Sequence, residues 1–178
     1  MYELVEQLQP GQTRIARLVR NDLDDFEGPF RRHLHASHTL AKALVPDMES
    51  EGTGRIVNII STSVREPIDN IGLSNTLRGA MASWAKSLSR ELPPCITINN
   101  ILPGFTDTDR LTSLIEGRAH RQGQTPEQVR DAMIASVPAG RLGHPGELAA
   151  LAAFLCSEAA GYVNGTTIPV DGGRVVAG

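Results

Sequence analysis

A serine and an arginine stand one helical turn apart in the segment NIGLSNTLRGAMASWAKSLSREL, residues 70–92. Residues four positions apart share one face of a helix, so Ser74 and Arg78 can present a hydroxyl and a guanidinium to one ligand. A guanidinium stays protonated at physiological pH, which suits Arg78 to binding an anion or a carbonyl oxygen and not to moving a proton. The pair predicts binding of a substrate oxygen, while for Ser74 a first-turn hydroxyl that satisfies the helix end is an equal alternative.

A second hydroxyl, Ser61, ends the run RIVNIIS. Such a β-branched run without polar alternation is typical of a strand that is covered on both faces. Ser61 is a candidate for hydrogen bonding to a substrate carbonyl, and Thr62 and Ser63 are candidates for sharing that role. The alternative is a hydroxyl that caps the end of the strand.

Alternating helix and strand patterns predict an α/β domain with a mainly parallel sheet of the partial, doubly wound Rossmann type. We expect about four strands, a number within the usual range for a small domain. The predicted strands are 13–19, 55–61, 95–102 and 166–170, and the predicted helices are 26–48, 74–91 and 145–160. The spacing in the first of these helices predicts one buried stripe of Phe30, Leu34, Ala41, Leu44 and Met48.

Residues 109–140 form a long excursion between predicted strands. Two short helices are predicted in it, and Thr125, Pro126 and Gln128 open the second as N-cap, first helical residue and capping-box partner. Excursions of this length are usually lids or binding elements. We therefore predict that 109–140 is a lid.

Composition and charge narrow the classes of function. The 178 residues are 40% hydrophobic and 21% charged, which predicts one ordinary domain over 1–178. A net charge of -3 and the absence of long basic runs argue against nucleic-acid binding. No signal peptide or membrane-spanning stretch is evident, so we expect a cytoplasmic protein with no membrane partner.

Two further chemistries have weak support. His33, His35 and His38 point in different directions on a helix, which argues against a tetrahedral zinc site. A serine hydrolase with His33 as base for Ser74 would need a second glycine and an acid, and neither is evident in the sequence.

Four segments in order resemble the short-chain dehydrogenase/reductase family. They are GRIVNIIS at 54–61, AKSLSREL at 85–92, ITINNILPGFTDTD at 96–109 and YVNGTTIPVDGG at 162–173. Residues 23–178 are similar to roughly the carboxy-terminal two thirds of the 3-oxoacyl-carrier-protein reductases in that family. The resemblance implies a Rossmann-type, NAD(P)-dependent oxidoreductase that acts on a small carbonyl or alcohol substrate.

The resemblance also implies roles for individual residues. The catalytic serine of the family falls on Ser61, its Tyr-x-x-x-Lys pair falls on Ser74 and Arg78, and its active-site asparagine falls on His33. A divergent branch of the family resembles this chain in having Ser-Asn-x-x-Arg at the Tyr-x-x-x-Lys positions. A phenol beside a lysine can carry a proton, whereas an alcohol beside a permanent cation is a poor substitute.

The cofactor positions are only partly matched. Pro103, Gly104, Thr106 and Thr108 fall where the family faces the nicotinamide and phosphates, with turn chemistry and a helix cap as the alternative. No strand, glycine-rich turn and helix that could cradle a pyrophosphate is evident, and residues 1–22 are atypical. We expect that the chain lacks the amino-terminal cofactor-binding half, so that NAD(P) is implied by the family but poorly held.

Two classes of function compete. The first is the NAD(P)-dependent oxidoreductase. The second is a pseudoenzyme or a homo-oligomerisation module that pairs through helices 26–48 and 74–91. A cofactor-independent member of the family is a further alternative, because the halohydrin dehalogenases, which resemble this fold, have an arginine at the lysine position, where this chain has Arg78. A bare strand edge predicts association of the chain with itself.

Overall fold

The computed structural model describes Leu18 and residues 20–176. The described chain is an α/β structure with a three-stranded parallel sheet and flanking helices, which confirms the predicted fold class. In chain order the elements are α1 (Leu23–Phe30), a π-helical segment (Arg31–His35), α2 (Ala36–Ser50), β1 (Gly54–Ile59), α3 (Gly72–Leu88), β2 (Ile96–Pro103), α4 (Asp109–Gln122), α5 (Pro126–Ala135), α6 (Pro145–Cys156) and β3 (Thr167–Val170). Short 3-10 turns follow β1 at Thr62–Val64 and α6 at Glu158–Ala160.

The central strand β2 organises the core. It pairs in parallel with β1 on one side and with β3 on the other. Its residues from Ile96 to Leu102 are all buried, because helices α3 and α2 contact it, as does α6. The register pairs Ile59 with Ile101 and Pro103 with Val170, so all three strands end at the same edge of the sheet.

The described part of the chain contains three strands, where about four were expected. The missing one is the predicted strand 13–19, which lies outside the described residues except for Leu18. Leu18 has helical backbone, and its side chain packs against Gly72, the first residue of α3.

The predicted helix 26–48 is present but begins at Leu23 and includes the π-helical segment. The predicted buried stripe is wrong at Leu44, which is 48% exposed, although Ala41 is buried. Val45 instead lies on the partly buried side of α2. Helical spacing allows a stripe to continue at either the third or the fourth residue, and the positions of neighbouring elements decide between them.

The segment 109–140 contains the two predicted helices, α4 and α5. They pack on each other around their own buried cluster, made of Leu111, Ile115, Ala119, Val129, Met133 and Leu142. The predicted capping box is confirmed: Thr125 accepts from the Gln128 backbone, and the Gln128 side chain accepts from the Thr125 N–H. The lid role of this segment stays a prediction.

The remaining helix ends differ slightly from prediction. Helix α3 ends at Leu88 and not at 91, and α6 ends at Cys156, with a 3-10 turn continuing to Ala160. Among the helices that the structure describes, none combines the length and the apolar character needed to cross a bilayer.

Candidate active site

Polar residues from all three strand ends meet at one edge of the sheet. The Ile60 N–H, just before Ser61, donates to the Ile101 carbonyl at 2.9 Å, and the Gly104 N–H donates to the Val170 carbonyl at 2.9 Å. Ser61, Gly104 and the turn after Val170 therefore lie side by side. In open parallel sheets ligands bind outside the carboxyl ends of the strands, which makes this edge the candidate site.

Ser61 has extended backbone and caps the turn Thr62–Val64. Its Oγ accepts a hydrogen bond from the Ser63 N–H at 3.1 Å. The hydroxyl proton of Ser61 has no acceptor among the described residues and is free to donate to a ligand. Thr62 and Ser63 are 2% and 4% exposed, so Ser61 is the more accessible of the three hydroxyls.

The start of helix α3 is held by Asn75. Its side-chain amide donates to the Ile68 carbonyl at 2.8 Å, and its side-chain oxygen accepts from the Ile68 N–H at 3.4 Å. These two bonds fasten the loop before α3 onto the first turn of the helix. Asn70 in that loop has a φ of 66°, a left-handed conformation that asparagine tolerates better than most residues.

Ser74 and Arg78 are both partly buried on the first turns of α3. The hydroxyl of Ser74 makes no hydrogen bond in the described part of the chain, so the helix end does not use it. Burial lowers the pKa of the Arg78 guanidinium, which nevertheless stays charged near neutral pH. No carboxylate in the described residues pairs with Arg78.

His33 lies in the π-helical segment next to α3. Burial lowers its pKa below the ordinary value of 6.5, and the nearby positive charges of Arg78 and then Arg32 lower it further. His33 is therefore neutral at pH 7, when one ring nitrogen can accept and the other can donate. Segments of π-helix occur frequently at functional sites.

A small apolar cluster joins the elements that carry these side chains. Ile60, Met81 and Leu102 form its buried part, and Leu34 packs against it. Ile60 precedes Ser61, Leu34 follows His33, and Met81 lies one turn beyond Arg78. The fold thus brings the end of β1, the π-helical segment and the start of α3 together.

The serine hydrolase alternative gains no support from the described residues. No hydrogen bond joins His33 to Ser74, and no acid is seen to orient the His33 ring. The same residues contain no group of three His, Cys, Asp or Glu side chains placed to hold a metal ion.

The residues at the four predicted cofactor positions make contacts within the protein. A Cβ on Gly104 would lie 2.6 Å from the Asp171 Cα, so glycine is needed there for packing between strands. The Thr106 hydroxyl donates to the Gly104 carbonyl at 3.3 Å, and Thr108 caps α4 by accepting from the Leu111 N–H at 3.4 Å. Pro103 ends β2.

These residues do not fit a whole dinucleotide. In the described chain the connection from β1 to α3 contains no glycine before Gly72, and the connection from β2 to α4 contains only Gly104. Neither offers the run of backbone N–H groups at a glycine-rich turn that a pyrophosphate requires.

Sequence reasoning missed two residues of this edge. Asn75 was visible only as the neighbour of Ser74, and Arg174 only as the residue after the Asp-Gly-Gly turn. In the structure the Arg174 Nη2 donates to the Thr62 Oγ1 at 2.9 Å, and its guanidinium lies 4.9 Å from the centre of the Phe105 ring.

A parallel sheet with helices on both faces and polar groups at its carboxyl edge defines a Rossmann-type α/β protein. A family model described as enoyl-(acyl carrier protein) reductase matches residues 10–174. The chain belongs to the short-chain dehydrogenase/reductase family.

Relatives with known names agree with this family. The chain is 35% identical to the 3-oxoacyl-[acyl-carrier-protein] reductase FabG of Pseudomonas aeruginosa, over 94% of this chain and 64% of that protein. It is 31% identical to the NADPH-dependent reductase BacG of Bacillus subtilis, over 86% of this chain and 60% of that protein. The solved structure of YwfH, an NADPH-dependent reductase involved in bacilysin biosynthesis, matches with a TM-score of 0.83 and 30% identity, covering 89% of this chain and 61% of that one. The chain thus spans 60% to 64% of the length of these relatives.

Proposed function

We propose that this protein is an oxidoreductase of the short-chain family that acts on a small carbonyl or alcohol substrate at the carboxyl edge of the sheet. The observation that carries the proposal is the free hydroxyl proton of Ser61 at that edge, held on the same apolar cluster as the start of α3 with Arg78. The reductase names of the relatives support the same class of reaction.

The described residues serve to bind and polarise the substrate oxygen. The Ser61 hydroxyl donates a hydrogen bond to that oxygen, and the Arg78 guanidinium stabilises the negative charge that develops on it during reduction. Ser74 is not the proton donor, because an aliphatic hydroxyl is a far weaker acid than a tyrosine phenol. The proton comes from water, either directly or through the Ser61 hydroxyl, which gives one proton to the substrate oxygen as it takes another from water.

In the family a nicotinamide cofactor supplies the hydride. Because the described residues do not cradle a dinucleotide, we assign them no step that involves it. Pro103 and Gly104 would form only the wall beside the nicotinamide ring, and Thr106 and Thr108 would face the amide and phosphates.

A second candidate is a catalytically impaired or cofactor-independent member of the family. It is favoured by one observation: Ser74 has a hydroxyl without a hydrogen bond in the described residues. By the resemblance, Ser74 and Arg78 fall on the phenol and lysine positions, and the Arg78 guanidinium does not release a proton near neutral pH. In that case the protein is a pseudoenzyme, and the site binds a ligand without redox turnover. Alternatively, Arg78 binds an anion in dehalogenase- or lyase-like chemistry.

Titration with NADH and NADPH separates the two candidates. Trp84 lies on α3 and packs against the same apolar cluster, so its fluorescence reports on this region. The oxidoreductase proposal expects a saturable fluorescence change and cofactor oxidation with small ketones or aldehydes. The Ser61→Ala variant is expected to keep cofactor binding and to lose most of the turnover. If no saturable signal appears at millimolar cofactor, the redox proposal is wrong for this chain.

We further propose that the protein is a homo-oligomer. Leu40 and Leu44 lie one turn apart on α2 and are 61% and 48% exposed, which leaves an apolar face on that helix. This face falls within the helix region 26–48 that is predicted, together with 74–91, to pair between copies.

A further inference from the structure

The turn after β3 directs a positive charge back over the carboxyl edge of the sheet. Gly172 and Gly173 have φ values of 65° and 83°, which reverse the chain at little steric cost. The Asp171 carboxylate accepts from the N–H groups of Gly173 at 3.0 Å and Val175 at 2.8 Å, so its oxygens hold the turn together. Arg174 therefore lies in a turn in which the Asp171 carboxylate already accepts two backbone hydrogen bonds.

The side chain of Arg174 is fixed at two points. Its Nη2 donates to the Thr62 Oγ1, in the turn that Ser61 caps, at 2.9 Å. Its guanidinium lies 4.9 Å from the centre of the ring of Phe105, the residue after Gly104, at cation–π distance. Arg174 thus spans the gap between the loop after β1 and the loop after β2.

The charge of Arg174 is not balanced by the protein that the structure describes. The ion pairs among the described residues are Arg31–Glu27, Arg130–Asp107 and Arg141–Glu147. Within the same residues the Arg174 Nε and the Ser63 Oγ are both buried with no hydrogen-bond partner. A partly buried guanidinium with unused donors and no carboxylate is costly unless a ligand supplies the anion.

Arg78 on α3 is a second cation without a carboxylate partner among the described residues. Arg78 is partly buried on α3, which packs against the turn Thr62–Val64. The helix that carries Arg78 and the side chain of Arg174 therefore both contact the turn that Ser61 caps. The two positive charges favour a substrate that carries a negative group beside its carbonyl or alcohol carbon.

We propose that Arg174 is a binding residue for a carboxylate on the substrate, so that the natural substrate is a small keto acid or hydroxy acid. This inference rests on the proposed function, since it assumes that the reacting oxygen lies at Ser61. Arg174 binds the carboxylate by charge-assisted hydrogen bonds, while Thr62 and Phe105 hold the guanidinium in place.

Binding of matched acids and esters tests the proposal without any cofactor. The probes are pyruvate, acetoacetate and levulinate, each compared with its methyl ester, and they differ in the number of methylene groups between ketone and carboxylate. Isothermal titration should show that at least one acid binds roughly tenfold or more tightly than its ester. That preference should weaken as the salt concentration rises.

Variants at Arg174 assign the preference to this residue. Arg174→Met keeps most of the side-chain length without the charge and should abolish the preference for acids, whereas Arg174→Lys should retain part of it. Arg90→Met removes an exposed guanidinium beyond the far end of α3 and should leave binding unchanged. Thermal unfolding of each variant reports whether the turn after β3 stays folded.

Three outcomes would overturn the proposal: no acid is preferred by the wild-type protein, the preference survives in Arg174→Met, or Arg174→Met weakens acid and ester equally. The last outcome would make Arg174 a purely structural tie to Thr62. If Arg174→Met does not fold, Arg174→Lys and the salt dependence of the wild-type protein decide. A preference for acids without turnover would count against the redox function alone, and turnover without the preference would count against this subsite alone.

Discussion

The proposed assignment places an alcohol, Ser74, and a permanent cation, Arg78, where the family has a phenol and an amine. Ser74 carries an unbonded hydroxyl and Arg78 carries a charge with no carboxylate partner in the described residues. Both can hold a substrate oxygen, and neither titrates near neutral pH. These two side chains are therefore better suited to polarising a substrate oxygen than to transferring a proton.

Among the described candidate residues of this site, namely Ser61, Ser74, Arg78, Arg174 and His33, only His33 can titrate near neutral pH. Its pKa is lowered by burial and then by Arg78, so Arg78→Met should raise the His33 pKa towards the ordinary value. Burial remains in the variant, and the pKa should stay somewhat below that value. NMR titration of the imidazole measures this change, with Arg90→Met as the control. An unchanged pKa in Arg78→Met would show that the two side chains do not interact.

The same shift has a consequence for stability. The folded protein holds His33 with a lowered pKa, so the unfolded chain takes up its proton first as the pH falls. The contribution of His33 to the free energy of unfolding therefore becomes unfavourable as the pH falls through 6.5, the pKa of histidine in the unfolded chain, and below. In Arg78→Met the free energy of unfolding should fall less between pH 7 and pH 5, and urea unfolding at several pH values measures this.

The ends of the strands and the caps of the helices position the residues of the site. Gly104 allows the end of β2 to approach Asp171 closely, since a Cβ would lie 2.6 Å from the Asp171 Cα. Gly104→Ala should lower the free energy of unfolding by about 1–3 kcal/mol or more through overpacking, even without cofactor. Urea unfolding measures this.

Gly79→Ala is the matched control. Nothing lies within 4 Å of a Cβ at Gly79, in the middle of α3, so this change should stabilise the protein by about 0.5–1 kcal/mol. A tolerated Gly104→Ala would instead mean that the glycine serves a ligand and not the packing of the strands.

Helix α5 depends on its capping box. Thr125→Ala removes the oxygen that accepts from the Gln128 N–H and should cost about 1 kcal/mol. Amide hydrogen exchange should speed up first in α5 and its neighbour α4, because the two share one apolar cluster. Ser113→Ala, on the exposed side of α4, should change little. Exchange that rises equally across β2 would contradict a local role for the cap.

The sheet has two edge strands, β1 and β3, in the described part of the chain. Strand β1 pairs only with β2 within the described residues, and Ile59 at its end is 51% exposed. An unpaired strand edge and an apolar helix face both promote association between copies.

A single charge on α2 tests the oligomer proposal. Leu44→Glu places a carboxylate on the proposed pairing face and should shift the protein to a smaller species in sedimentation experiments. Tyr162→Glu changes a fully exposed side chain outside that face and should not alter the assembly. A wild-type protein that sediments as a clean monomer would contradict the proposal.

The sequence by itself determined the family, the α/β class and most elements, because these depend on local patterns. The Thr125–Gln128 cap joins residues three positions apart, and strand β2 is a short run of β-branched and apolar residues around Asn99 and Asn100. Such features are set by near neighbours along the chain and survive without knowledge of packing. The four motifs of the family are likewise short and local.

The tertiary structure alone decided which distant side chains meet. The bond between Arg174 and Thr62 joins positions 112 residues apart, and it depends on the parallel register and on the turn after β3. The exposure of Leu44 and the need for glycine at Gly104 also depend on which elements lie opposite. Contacts of this kind follow from the packing of whole elements, which residue spacing along one segment does not specify.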